Sequence, residues 1–309
     1  MSTQKSSLDA ETLKKAKEEL NEDPAQRASQ IQTFREWIDR QPHLNSRTDD
    51  DFLLRFLRVA KFSQLKAQER LVNFLTVRTS LINGVPEWYS DMDPLLEKNQ
   101  KMLDMGLTVP LPGRDDQNRR VTLVRTGAYD AKTVPLGDVL KVGGIIADAS
   151  MKEELDQIHG TCVLLDFTEF NSSHIFAWDR ETIRKASKTW QDVFPVRTKV
   201  VNYYNTGTVF NTLQPIFSLF MKEKTKQRMK FHRDSLDSLH AEVPKRMLPT
   251  EMGGDAGSLQ SLIENTKKMV IANRDEILLN ERSCKIDESK KPAQGVDQVQ
   301  GSFRKLNVD

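Results

Sequence analysis

Residues 160–167 read GTCVLLDF, a short apolar run with a glycine before it and an acid near its end. The length and β-branched content suit a buried strand. Outward from it, residues 120–125 (RVTLVR) alternate apolar and polar with a period of two, and residues 197–204 (RTKVVNYY) form a third β-rich stretch. Helical spacing covers about 135–157 and 175–191, with one or two further helices over about 208–228. Strands separated by helices predict an α/β layer on a mostly parallel sheet.

The first 95 residues read differently, as helices only. Asp23-Pro24 offers a capping side chain ahead of a proline, and Ile31, Phe34, Trp37 and Ile38 follow at helical spacing. Thr48 is placed to cap a segment whose apolar face is Phe52, Leu53, Phe56, Leu57 and Ala60, with Arg55 and Arg58 to the other side. Ser63 opens a longer helix through Ala67, Leu71, Phe74 and Leu75, ending near Asn83-Gly84. The pattern predicts a small helical bundle of its own. From about Glu281 the chain is rich in Lys, Ser, Gln, Asp and Gly, which predicts a mobile tail.

Composition narrows the class. Lys plus Arg is 46 against 44 for Asp plus Glu, leaving +2, a balance that argues against a general nucleic-acid binder. Two cysteines in 309 residues give no disulfide framework and suit a reducing compartment. No apolar run approaches the roughly 18 residues of a membrane span, and the first 15 residues lack a signal peptide's apolar region. The expectation is a soluble, cytoplasmic monomer.

Catalytic signatures are missing: no glycine-rich phosphate loop, no H-E-x-x-H, no G-x-S-x-G. His159 and Cys162 suggest a base and a nucleophile, but a cysteine opening an apolar strand behaves as a small hydrophobe. Asp166 and Glu169 could form an acid/base pair, although a carboxylate at a strand end more often caps the next turn. Of the five histidines only His232 and His240 are near one another, a weak metal signal. The chain is therefore read as a non-enzyme without cofactor or metal.

What stands out is an association of apolar and basic residues. Phe210, Leu213, Ile216, Phe217 and Phe220 fall on one wide helical face. Lys222, Lys224, Lys226, Arg228, Lys230 and Arg233 follow, with Glu223 the only acid among them up to Arg233. Lys224 and Arg228 share a face if that helix continues, and Arg197 and Lys199 alternate on a strand so as to point one way. Two readings stand: a helix packed on the sheet beside a solvated basic surface, or a gate that meets acyl chains and anionic head groups.

The order of motifs resembles the CRAL-TRIO lipid-binding family. The segment TDDDFLLRFLRVAKF over 48–62 looks like its opening helix; then come Asp166, Phe170 and His174, Phe194-Pro195 ahead of Arg197, the stretch 210–228, and LPTEMGG over 248–254. The likeness is strongest toward the branch holding the α-tocopherol transfer protein, cellular retinaldehyde-binding protein and the clavesins. It implies a helical N-terminal domain (9–96), an α/β lipid-binding domain (97–272) with a helical lid near 209–220, and a C-terminal extension (273–309).

The resemblance also implies a closed pocket for one hydrophobic molecule, with candidate walls at Leu140, Val163, Leu165, Phe170, Ala186, Trp190, Phe194, Val196, Phe210, Leu213 and Phe217. Trp190 would shorten the cavity, while Gly143-Gly144 and Ala147 leave room, with few hydroxyls nearby. The implied ligand is a retinoid, tocopherol, carotenoid or similar isoprenoid rather than a phospholipid. Phosphoinositide head groups would be gripped by Arg197, Lys199, Lys224 and Arg228 with Lys226 beside them, so the implied partner is an anionic phosphoinositide membrane, met transiently. Two departures are visible. The family's additional basic position falls on Ala60, with Lys61 next to it, and Gly207 replaces a frequent proline and should loosen the hinge before the lid. The other readings kept are a lipid-sensing scaffold that presents its tail to a partner, and an enzyme acting on the bound lipid.

Overall fold

The computed structural model describes residues 8–291. Four helices lead: α1 (Ala10–Leu20), α2 (Arg27–Asp39), α3 (Asp50–Val59) and α4 (Gln64–Thr79), with a two-residue strand β1 (Leu44–Asn45) between α2 and α3. Helix α5 (Glu97–Asp104) connects to β2 (Thr108–Pro110) and β3 (Arg120–Arg125). Helices α6 (Leu136–Ser150) and α7 (Glu154–His159) precede β4 (Thr161–Asp166), and α8 (Ser172–Ala177) and α9 (Arg180–Lys188) precede β5 (Thr198–Tyr204). Helix α10 (Gly207–Leu219) and the short α11 (Glu223–Lys226) cross over to β6 (Met229–Arg233). The chain closes with α12 (Leu236–His240), α13 (Leu259–Ala272), α14 (Arg274–Ser283) and β7 (Lys285–Ile286).

The main sheet has the order β2-β3-β4-β5-β6, with β2 antiparallel and the rest parallel. The three strands read from sequence are its centre. The two edges were not legible there, because β2 has three residues and β6 (MKFHR) carries too many charges to look like a strand. The two faces follow from alternation. Val121, Leu123, Cys162 and Leu164 pack against Leu239, Val243, Met247, Leu248 and Ile263 on one side. Val163, Val201 and Tyr203 pack against Phe167 and Phe210 on the other.

Local signals explain the helix ends and the points where sequence reading slipped. Asp49, not Thr48, caps α3, accepting from the Phe52 N–H at 3.0 Å. Asp23 serves a turn, accepting from Ala25 N–H at 3.0 Å, so α2 starts later than Pro24. The expected helix over 175–191 is broken at Trp178, where Asp179 caps α9 by accepting from Thr182 N–H at 2.7 Å. The helix thought to carry the basic run stops at Lys226, so Arg228 leads into a strand and does not share a helical face with Lys224.

Two larger expectations are corrected. The N-terminal helices do not close a core of their own: Phe34, Phe52, Phe56 and Phe74 belong to one buried cluster with Val142, Ile145 and Ile146 of α6 and Ile277 of α14. The mobile tail does not begin at Glu281. Helix α14 runs to Ser283, Cys284 is buried, and Leu44 and Ile286 pair as β1 and β7 run antiparallel. The polar composition there hid three apolar anchors, Ile277, Cys284 and Ile286, spaced too widely to show as a periodic face. Residues 292–309, where the rest of that expected tail falls, lie outside the described residues.

Arg55 and Arg58 are also not surface residues; they are 2% and 0% exposed. Arg58 donates to both carboxylate oxygens of Glu22 at 2.9 and 3.0 Å, to Glu154 at 2.8 Å and to the Gln157 side chain at 2.8 Å. It thereby joins the α1–α2 turn, α3 and α7. Burial alone works against the guanidinium charge, but Glu22 and Glu154 more than offset it. Removing one partner of such a pair leaves the other buried and uncompensated. Arg58→Met should therefore cost about 3 kcal/mol in denaturant unfolding, the low end because Arg27 still pairs with Glu22 at 2.7 Å. A loss under about 1 kcal/mol would place the weight of this junction on its apolar contacts instead.

Candidate functional site

Parallel strands start at the same end of a sheet, and this decides where the basic residues meet. β5 and β6 are parallel neighbours joined by α10 and α11, so the crossover leaves the carboxyl end of β5 and returns to the amino end of β6. Lys224 and Arg228, just before β6, therefore arrive beside Arg197 and Lys199, at the start of β5. The Arg228 guanidinium donates to the Thr198 carbonyl. The start of β4 adds to the same edge, where Gly160 adopts φ +84°. A Cβ there would lie 2.5 Å from the Arg197 carbonyl oxygen, so only glycine lets these strands approach so closely.

Four charges lower the Lys224 amine after burial itself: Arg228, Lys61, Lys199 and Arg197. These five cations form one cluster. Lys61, which sequence reading left beside the family's position at Ala60, is thus part of it, in left-handed backbone at φ +54° after α3. Beside it opens a cleft of about 340 Å³, lined by Asn21, Gln26, Gln30, Lys61 and Ser63 among others. Lys226 is not brought in by the same contacts; it pairs with Glu223 at 2.7 Å.

One acid enters the cluster from a distant segment. Glu19 on α1 accepts from Arg197 at 2.8 Å and from Lys199 at 2.7 Å through the same oxygen, Oε2. Burial would raise its carboxyl, but the Lys199 and Arg197 hydrogen bonds and charges reverse this and hold it at about 2. Because the folded value lies below the ordinary 4.5, the stabilisation is complete above pH 4.5 and is lost as pH falls toward 2. Burial nevertheless leaves Arg197 and Lys199 lowered, and one carboxylate among five cations leaves the cluster with net positive charge. No local pattern marks Glu19: it lies 178 residues from Arg197.

The crossover helix α10 lies over the second face of the sheet. Phe210 is buried, 4.5 Å from Phe167 and 5.4 Å from Tyr203 between ring centroids, and Phe217 meets Trp178 at 5.4 Å. Its two ends are held unequally. Gly207, at the start, has φ +49° and open space around it, a conformation closed to proline. At the far end the Gln191 side chain donates to the Phe220 carbonyl at 3.0 Å and accepts from Lys222 N–H and the Thr225 hydroxyl, both at 2.9 Å.

The candidate pocket residues divide between two packing groups. Val163, Leu165, Phe170 and Phe210 gather on the sheet under α10. Leu140, Ala186, Phe194 and Val196 pack on the large cluster shared with the N-terminal helices. Trp190 is 40% exposed with one edge against Phe194, Phe217 is half-buried, and the side chain of Leu213 lies outside those described. On α6, Leu140, Gly143 and Ala147 form a half-buried stripe, and an added Cβ at Gly143 meets nothing within 4 Å. Sequence reading missed Phe167, Tyr203 and Phe231, the aromatic rings that seat Phe210.

The catalytic alternatives are accounted for by structure. Cys162 accepts from the Asn202 side chain at 3.1 Å, and burial pushes its thiol up to about 11; His159 faces Thr12 and Asn118 instead. His232 and His240 have separate partners, Asn202 with Ser238 for one and the Met252 carbonyl for the other. Asp166 caps its turn, accepting from Thr168 N–H at 2.9 Å. His174 accepts from Asn171 N–H at Nδ1 and donates from Nε2 to the Tyr129 carbonyl at 2.9 Å, which fixes its tautomer. Among the described residues no group of three or more His, Cys, Asp or Glu is placed to hold a metal ion.

A CRAL/TRIO domain family model matches residues 104–254, and a Pinta-like UBA domain model matches residues 23–99. The chain is 30% identical over 273 residues to the alpha-tocopherol transfer protein-like protein of Homo sapiens, covering 88% of this chain and 78% of that one. It is 30% identical over 248 residues to clavesin-1 of Xenopus laevis, covering 80% and 74%. The solved structure of Sfh5 aligns with a TM-score of 0.47 at 11% identity, over 83% of this chain and 99% of that one.

The clamp at Gln191 is open to test. Three hydrogen bonds of about 1 kcal/mol each hold the far end of α10, so Gln191→Ala should speed amide exchange there by about 100-fold. The midpoint of global unfolding should shift far less. Equal effects on both would mean that α10 opens only with the whole molecule.

Proposed function

Because the chain belongs to the CRAL/TRIO domain family, we propose that it is a cytosolic carrier. It encloses one small hydrophobic molecule between the sheet and α10 and exchanges it at phosphoinositide-bearing membranes. The observation that carries this reading is that one crossover supplies both devices. The same connection that lies over the sheet as a lid ends by delivering Lys224 and Arg228 to the basic cluster. Contact with an anionic surface and release of the lid's far end would then act on one continuous segment.

Physical chemistry gives such a protein a task without a reaction. A lipid of about 20–30 carbons costs roughly 0.8 kcal/mol per methylene to expose to water, so its passage between membranes is slow. A pocket that replaces the bilayer removes much of that barrier and needs no catalytic group. The apolar candidates Val163, Leu165, Phe170 and Phe210 on the sheet side, with Gly143 and Ala147 leaving room on α6, suit a retinoid, tocopherol, carotenoid or related isoprenoid. The candidate phosphoinositide residues are Arg197, Lys199, Lys224 and Arg228, with Lys61 added by the geometry and Lys226 less central. The protein is read as a monomer that docks peripherally.

Two measurements test the reading. Native mass spectrometry of protein purified from its own cells should show one stoichiometric apolar molecule; a mixture of common phospholipids would overturn the isoprenoid assignment. Each cation near an anionic surface contributes about 1 kcal/mol. Lys224→Ala with Arg228→Ala should therefore weaken binding to phosphoinositide vesicles by roughly 30-fold, with added salt weakening the wild type too. Lys226→Ala should do markedly less. Unchanged binding in the double variant would remove the basic cluster from the function.

A further inference from the structure

Glu19 is the acid that enters the basic cluster. Its Oε2 accepts from Arg197 Nη2 at 2.8 Å and from Lys199 Nζ at 2.7 Å, so both strand cations are already paired within the chain. Arg197 has little other freedom. Its side chain is 9% exposed and also donates to the carbonyls of Gln157, at 3.3 Å, and Ile158. The remaining cations, Lys61, Lys224 and Arg228, have no bond to Glu19 among the described contacts. Two of the five cations are thus held by an internal anion.

The carboxylate can leave without its helix. α1 is held by contacts that do not involve Glu19: Ala16 and Leu20 pack on Ile158, Thr12 pairs with His159 at 3.1 Å, and Glu22 behind it binds Arg58. The Glu19 side chain is 36% exposed, and Lys15, one turn back, lies 3.9 Å from its other oxygen. A rotation of one side chain therefore moves the acid from the two strand cations toward a waiting lysine. A phosphate monoester, by comparison, brings about −1.5 to −2 charge and three acceptor oxygens, enough to engage Arg197 and Lys199 and also reach the cations that Glu19 leaves unpaired.

We propose that Glu19 is an intramolecular competitor for the head-group site: a phosphorylated inositol head group must displace it from Arg197 and Lys199, which keeps membrane docking weak enough to reverse. This rests on the phosphoinositide reading above and adds its regulation. The physical alternative has the opposite sign. If Glu19 instead positions the two cations for the head group, removing its charge weakens binding.

The test uses the full chain and vesicles of phosphatidylcholine with or without phosphatidylinositol bisphosphate, and the soluble inositol trisphosphate head group as a membrane-free arm. Removing one opposing charge should tighten Glu19→Gln about fivefold on bisphosphate vesicles, chiefly through slower release. Tightening for the soluble head group as well would place the competition at the head-group site and not at the bilayer; tightening on vesicles alone would overturn it. The gain should shrink in a Lys199→Ala background. Glu18→Gln is the control, since it makes the same change of net charge on the same helix at a residue whose ion pair among the described residues is with Lys14, at 3.9 Å. An equal gain there would overturn the proposal, as would unchanged or weaker binding in Glu19→Gln while the wild type binds. If the wild type and Glu19→Gln both fail to bind, the phosphoinositide reading falls and the competitor with it. Glu19→Ala repeats the measurement should the amide refill the carboxylate's place.

Discussion

The guanidinium of Arg58 is the point on which three parts of the molecule converge. A fully buried charge is tolerable only when its donors are satisfied, and here two carboxylates and an amide oxygen do so from the α1–α2 turn and from α7. The arrangement ties the N-terminal helices to the α/β layer at the amino ends of the parallel strands. Its geometric consequence is that α1 cannot lie elsewhere. Glu22 is bound at its end, and Glu19, one turn earlier, is thereby delivered to Arg197 and Lys199. One buried ion pair thus sets the position of a second, half-exposed one.

The parallel sheet supplies the second constraint. A crossover between parallel neighbours must span the sheet from carboxyl to amino ends, and α10 does so while covering the face formed by Val163, Val201 and Tyr203. The covering helix and the cluster of cations are consequences of one connection. The unequal holding of its ends, open space at Gly207 and three bonds to Gln191 at the other, places the tighter restraint beside the basic cluster. That restraint sits next to Lys222 and Lys224, so the far end of α10 is fastened beside the basic stretch.

Cys162, His159, His174, His232, His240 and Asp166 each make hydrogen bonds that serve the fold. What the molecule presents instead is an apolar layer with aromatic rings on one face of the sheet and an incompletely neutralised basic site at its edge. One carboxylate against five cations leaves a positive field, which favours encounter with polyanionic surfaces and is screened by salt.

The amino-acid sequence by itself determined the α/β class, the three central strands and the apolar stripe of α10, because each depends on periodicity within one segment. It also marked Arg197, Lys199, Lys224 and Arg228, since cations near a strand start and after a helix are local features. The edge strands, the shared core and the packed segment around Cys284 were decided only in three dimensions. Their apolar contacts come from partners far along the chain and leave no periodic trace. The same holds for the site: Lys61, Glu19 and the aromatic seat of Phe210 are isolated residues in sequence. Parallel pairing and the buried Arg58 bring them together, and neither a crossover's return point nor a buried ion pair's second partner is encoded near the residues that use it.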